Sequence, residues 1–285
     1  MARRLLARTS VRDALDSAVI ALGAAGCESP RLDAELLLAH VLGVDRAALI
    51  IDPERGLEPD EARAFMDLAA RRREREPVAY LLGSKGFRTI DLAVDARVLV
   101  PRPETEVLVA TALRLAPRAR RVLDVGTGSG AIAVALAREL AGATVVASDR
   151  LAPALAVAAA NRSRLAPRVA LVQGDLLAPF RAGTFDLVVA NPPYCAEGTV
   201  VQAEVRDWEP SAALYAGPEG LDVLDTLIAS APRVLRAGGW LVVEIGAGQR
   251  DAVVARVRRT SAFGRIDVAD DYAGIARVVA AERVS

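Results

Sequence analysis

The second half of the chain alternates between two kinds of segment. "RRVLDV", "ATVVASD", "RVALVQGD", "FDLVVA" and "WLVVEIG" are short apolar runs, and helix-length stretches such as "AIAVALAREL" and "APALAVAAANRSRL" fall among them. Runs this apolar belong to strands covered on both faces. Alternation of that kind prescribes an α/β architecture, with ligands at the carboxyl ends of the strands. Helices are expected over residues 104–115, near 221–235 and over 249–259, and two terminal strands near Ile266 and Val278. The expectation is a Rossmann-like, doubly wound, mostly parallel seven-stranded sheet.

The first 80 residues read differently. Val11, Leu15, Ala18, Val19 and Leu22 recur at helical spacing, as do Leu32, Leu36, Leu37, Ala39 and Val41. A third helix is expected over 60–75, with Phe65, Leu68 and Ala69 on one side. Gly26, Pro30, Gly43, Pro53, Gly56 and Pro59 punctuate the region. The reading is a small all-α helical bundle over 1–80. A connecting β-hairpin is expected within 81–103, where "FRTIDLAVDARVLVPRP" alternates apolar and polar residues. The α/β domain then fills 104–285.

Charge and cysteine usage exclude several classes. Lys+Arg and Asp+Glu both number 36, so the chain lacks the basic excess of a general nucleic-acid binder. Cys27 and Cys195 are the only cysteines, without a CxxC. That fits a reducing cytoplasm and argues against a disulfide framework or a metal site. The basic start "MARRLLARTS" invites comparison with an export signal. Asp13 and Asp16 interrupt the apolar run after it, which favours an amphipathic helix. No membrane span is visible.

In "VLDVGTGSGAIAVALA", Gly126, Gly128 and Gly130 lie between a strand and a helix. Glycines there allow a tight turn and close approach of a ligand to the backbone. Asp149 ends the next strand, where a carboxylate can accept bonds from both ribose hydroxyls. The order G-x-G-x-G differs from the dinucleotide fingerprint and favours S-adenosylmethionine, which has no pyrophosphate to seat. "QGDLL" places Asp175 and Leu176 after the third strand, facing the adenine. Asp175 can accept from the exocyclic amino group.

"DLVVANPPYCA" stops a strand with Asn191-Pro192-Pro193-Tyr194. Neither proline can donate to a sheet ladder. The Asn191 side-chain oxygen and the Pro192 carbonyl can each accept one N–H of a planar NH₂ group, and Tyr194 can stack on its plane. Accepting both protons turns the nitrogen lone pair toward a sulfonium methyl. Asn191, Pro192 and Tyr194 are therefore the candidate catalytic residues, acting by positioning and electrostatics. Cys195 reads as a small packed hydrophobe, and His40 and Trp208 as structural residues.

With both motifs in place, the chain resembles class I S-adenosylmethionine-dependent methyltransferases. More narrowly it resembles the release-factor glutamine methyltransferases (the PrmC/HemK family). "REPVAYLLGSKGF", "VLVPRPETEVLV" and "EVRDWEPSAALYAGPEGLD" are similar to that family's interdomain segment, its hallmark and its block after NPPY, over residues 20–282. The resemblance implies a helical domain that recognises the protein substrate. It implies methylation of the Gln in the Gly-Gly-Gln loop of bacterial class-1 release factors, yielding S-adenosylhomocysteine. Cofactor contacts would fall on Gly126, Thr127, Gly128, Ser129, Gly130, Asp149, Leu176 and Asn191, and substrate contacts on Asn191, Pro192, Pro193 and Tyr194. Arg102 and Glu106 would shape the pocket wall or pair to brace the hairpin. Arg150 and Leu151 depart from the family's small or aliphatic pair. A monomer without direct nucleic-acid contacts is expected. Three other readings share parts of the pattern: methylation of a glutamine in ribosomal protein uL3, methylation of an exocyclic amino group in nucleic acid, and a sensor without chemistry.

Overall fold

A computed structural model describes residues 9–284, so the basic start at 1–8 lies outside the described residues. The chain divides into two compact units, and the first is discontinuous: residues up to Gly83 and the segment Gln202–Trp208.

The first unit is helical. It comprises α1 (Val11–Ala24), α2 (Pro30–Leu42), α3 (Arg46–Ile51), α4 (Pro59–Arg73), α5 (Val78–Leu82) and, from the later segment, α9 (Ala203–Trp208). Local signals set the ends. The Ser10 hydroxyl accepts from the Asp13 N–H at the start of α1, and Glu58 and Glu61 form a capping box at the start of α4. Leu22, Leu37, Leu38 and Phe65 fill the core. His40 lies exposed in the last turn of α2.

Burial in this unit extends to ions. Arg72 of α4 is 5% exposed and donates to Asp33 at 2.8 Å and to Glu204 of α9 at 2.9 Å. Arg75 also donates to Glu204. Burial pushes the Glu204 carboxyl up, but hydrogen bonds from Arg75 and Arg72 overcome that and hold it below the usual range. The Trp208 indole donates to the Glu74 carbonyl at 3.2 Å.

The second unit holds the hairpin β1 (Ser84–Phe87) and β2 (Ile90–Ala93) and seven further strands: β3 (Arg121–Val125), β4 (Thr144–Asp149), β5 (Ala170–Gln173), β6 (Phe185–Ala190), β7 (Leu235–Glu244), β8 (Phe263–Asp270) and β9 (Ala276–Arg283). Its helices are α6 (Pro103–Leu115), α7 (Ala131–Glu139), α8 (Ala152–Leu165), α10 (Asp222–Val234) and α11 (Arg250–Arg259). The seven strands run in the order β5-β4-β3-β6-β7-β9-β8. The first five are parallel, while β9 runs antiparallel to both β7 and β8. This is the seven-stranded, mostly parallel sheet expected from the alternation.

The hairpin is shorter than the alternation suggested. It ends at Ala93, and Val98 and Val100 are buried without a ladder of their own. Asn161 of α8 clasps Ala93 through both backbone groups, at 2.7 and 2.9 Å, and also donates to the Ser129 carbonyl at 2.9 Å. One buried amide thereby ties the hairpin to the glycine loop.

Candidate functional site

Strand order decides what can meet. β3 lies between β4 and β6, so the glycine loop after β3, Asp149 at the end of β4 and the NPPY segment after β6 emerge side by side. A cavity of about 430 Å³ opens there, within the size range of small-ligand sites.

Gly126 and Gly128 adopt left-handed φ values of 71° and 54°, with nothing within 4 Å of an added Cβ. Conformation, not crowding, demands glycine at both. Gly130 has a φ of 84°, and a Cβ there would make only ordinary contact with Ala158 of α8 at 3.5 Å, so conformation demands glycine here too. Beneath the loop, the Thr127 hydroxyl donates to Asp124 at 2.6 Å, and the Ala133 N–H donates to the same oxygen at 3.1 Å. Burial pushes the Asp124 carboxyl up to about 7, with Asp149 adding repulsion, against those two bonds.

Asp149 accepts from the Gly128 N–H at 3.0 Å through one oxygen and from the Leu151 N–H at 2.9 Å through the other. Each carboxylate oxygen keeps a further lone pair for a ligand hydroxyl. Leu176 has a φ of 44°, a conformation uncommon for a bulky side chain and found where a site constrains the backbone.

The NPPY segment is braced from behind. Cys195 and Tyr215 form an isolated parallel bridge. The Gln249 amide donates to the Tyr194 carbonyl at 3.0 Å and to Gly220 at 3.3 Å. A Cβ at Gly220 would stand 2.3 Å from the Tyr194 carbonyl oxygen, so only glycine allows that approach. Burial raises the Cys195 thiol, which suits the packing role read from the sequence.

The cavity wall includes Gly126, Thr127, Gly128, Ser129, Asp149, Asp175, Leu176, Asn191 and Pro193. Gly130, Pro192 and Tyr194 are not among its lining residues. Pro192 is buried, and the Tyr194 hydroxyl stands 3.5 Å from the Glu244 carboxylate. Arg102 lines the cavity but pairs with Glu209 at 2.6 Å, not with Glu106. Glu106 instead accepts from the Arg88 N–H at 2.9 Å. Reading the sequence alone gave no role to Thr105, which lies within the hallmark "VLVPRPETEVLV", and none to Gln249 or Glu244. The signal for Glu244 was a carboxylate ending the apolar run "WLVVE".

The sheet, the glycine loop and the acidic strand end define the class, an S-adenosylmethionine-dependent methyltransferase. Residues 103–208 match the family model described as "Methyltransferase small domain". A methyltransferase structure from Pyrococcus furiosus matches with a TM-score of 0.54 at 18% identity, covering 70% of this chain and 92% of that one. That likeness concerns the fold alone.

More specific likenesses extend along nearly the whole chain. Residues 13–83 match the model described as "PrmC N-terminal domain". The release factor glutamine methyltransferase of Geobacter sulfurreducens is 44% identical over 272 residues, covering 95% of each chain. That of Koribacter versatilis is 43% identical over 275 residues, covering 95% of this chain and 97% of its own. The chain belongs to the release factor glutamine methyltransferase family.

Proposed function

We propose that the chain transfers a methyl group from S-adenosylmethionine to the side-chain amide nitrogen of the Gln in the Gly-Gly-Gln motif of bacterial class-1 release factors. The observation that carries the reading is the position of Asn191 and Pro193. Both line the cavity that the glycine loop and Asp149 line, so an amide acceptor and a nucleoside site share one space.

The residues fit the cofactor. Open left-handed backbone at Gly126 and Gly128 admits close approach, Asp149 accepts from ribose hydroxyls, and Asp175 and Leu176 face the adenine. When bound, the cofactor supplies an electrophilic sulfonium methyl. The chain's own part is positional. Asn191 Oδ1 and the Pro192 carbonyl accept the two amide protons and hold the nitrogen lone pair on line with the methyl. Tyr194, with Pro193, braces the rigid segment that presents them. Charge develops on the nitrogen as the methyl arrives, and those two acceptors stabilise it. The product loses its proton readily, so a strong base is not needed. The helical unit supplies the docking surface for the release factor, and the enzyme works in the cytoplasm as a monomer.

Incubation with cofactor and purified release factor tests the reading. Mass spectrometry is expected to find one added methyl on the peptide that carries Gly-Gly-Gln. An unmodified peptide, with the cofactor shown to bind, would contradict it.

A further inference from the structure

A stiff segment is aimed by whatever holds its two ends. The rings of Pro192 and Pro193 fix their φ angles, and the residue before each proline is biased to extended backbone. Asn191 to Tyr194 is therefore a strut with little freedom of its own. One end leaves β6, where Ala190 pairs with Val243 of β7. The other end is Tyr194, whose carbonyl accepts from Gln249 Nε2 at 3.0 Å. Among the described residues no other donor reaches that carbonyl.

Gln249 is itself held on both sides. Its N–H donates to the Gly246 carbonyl at 3.1 Å, and its carbonyl accepts from the Val253 N–H of α11 at 3.0 Å. Its side-chain amide then meets three backbone groups. Oε1 accepts from the Gly246 N–H at 2.8 Å, and Nε2 donates to the Tyr194 and Gly220 carbonyls at 3.0 and 3.3 Å. A backbone N–H only donates and a carbonyl only accepts, so these partners fix which end of the amide points where. Three loops join at this side chain: the one after β6, the one after β7 and the one before α10. The junction is tightly closed. A Cβ at Gly246 would stand 3.0 Å from Gln249 Oε1 and 3.1 Å from Tyr194 Cδ2.

We propose that Gln249 is a positioning residue for methyl transfer, which pins the far end of the Asn191–Tyr194 strut and so sets the direction of the Pro192 carbonyl and the Asn191 amide. Gln249 is not among the residues that line the cavity. It acts through the Tyr194 carbonyl. The proposal rests on the proposed glutamine-methylating function and adds a residue that its chemistry does not name.

The junction asks for a primary amide. One planar group must accept from an N–H and donate to two carbonyls. An ionised glutamate has the same shape but no N–H, and it would turn an oxygen toward two carbonyl oxygens. Methionine keeps the length and fills the space, with only a weak acceptor and no donor. Substitution by each therefore separates pinning from packing.

The test compares full-length Gln249→Glu and Gln249→Met with the wild type on release factor, at about pH 8, well above the ordinary carboxylate range. Folding is checked by calorimetric binding of S-adenosylmethionine. Both variants are expected to lower kcat by about 10²-fold, the scale of a misplaced reacting group, with cofactor Kd and release-factor KM nearly unchanged. A readout without turnover runs in parallel, amide exchange followed by NMR. The Gly246 N–H is expected to stay protected in Gln249→Glu, which keeps the acceptor, and to lose protection in Gln249→Met. The Cys195 N–H, next along from the pinned carbonyl, is expected to exchange faster in both. Wild-type kcat in Gln249→Glu would overturn the positioning role. So would a fall in kcat matched by an equal loss of cofactor affinity, the mark of general disruption. Absence of methyl transfer by the wild type would count against the proposed function. The exchange arm would still decide the pin, because unchanged Cys195 protection in both variants overturns it.

Discussion

At the residue scale, the two halves of the site separate cleanly. Asn191 stands on the acceptor side, so Asn191→Ala is expected to lower kcat by about 10²- to 10³-fold, while calorimetry finds most cofactor affinity retained. Asp149 stands on the nucleoside side and also holds the Gly128 and Leu151 N–H groups. Asp149→Ala removes charged hydrogen bonds worth about 1.5–3 kcal/mol each. The cofactor Kd is expected to rise by at least about tenfold, which the same titration reads. Glu244 links the site to stability. Its folded pKa of about 7 lies above its ordinary value of 4.5. Its contribution to stability is therefore full below the ordinary value and is lost as the pH rises through about 7. Glu244→Gln does not titrate. Its melting temperature relative to the wild type is expected to rise steadily between about pH 4.5 and 7 and then level off; a constant difference would contradict the raised value.

At the element scale, α4 and α9 make the sharpest claim. Arg72 is buried between Asp33 and Glu204, so Arg72→Met strands the Asp33 carboxylate and leaves Glu204 with Arg75 alone. The cost is expected to be about 3–5 kcal/mol, read as a lower urea midpoint for the helical unit. The exposed pair Arg63–Asp60 offers a control, and Arg63→Met is expected to change stability by about 0.5 kcal/mol or less. What the sequence disclosed at this scale follows physical reach. α1, α2 and α4 run 13 to 15 residues, long enough for periodicity to register. α3 and α5, with 6 and 5 residues, are too short for it. The role of α9 was hidden for another reason: its fixing contacts join Glu204 to Arg72 and Arg75, 132 and 129 positions away. Gly126, Gly128, Asp149 and Asn191 were legible because strand ends in this architecture carry their chemistry locally. Thr105 and Glu244 were not, because their places near Asn191 depend on α6 meeting the end of β6 and on β6 lying beside β7.

At the scale of the whole molecule, the discontinuity matters most. The chain passes from NPPY into the helical unit at Gln202–Trp208 and returns at Glu209, whose carboxylate then holds Arg102 of the cavity wall. The central claim is that an amide, and no other group of the release factor, receives the methyl. The most direct test is transfer of a labelled methyl from S-adenosylmethionine to purified release factor, with a Gly-Gly-Glu variant of that factor beside it. The account predicts label on the Gly-Gly-Gln factor and none on the variant. Equal label on both, or none on either while a uL3 or nucleic-acid substrate accepts it, would contradict the account.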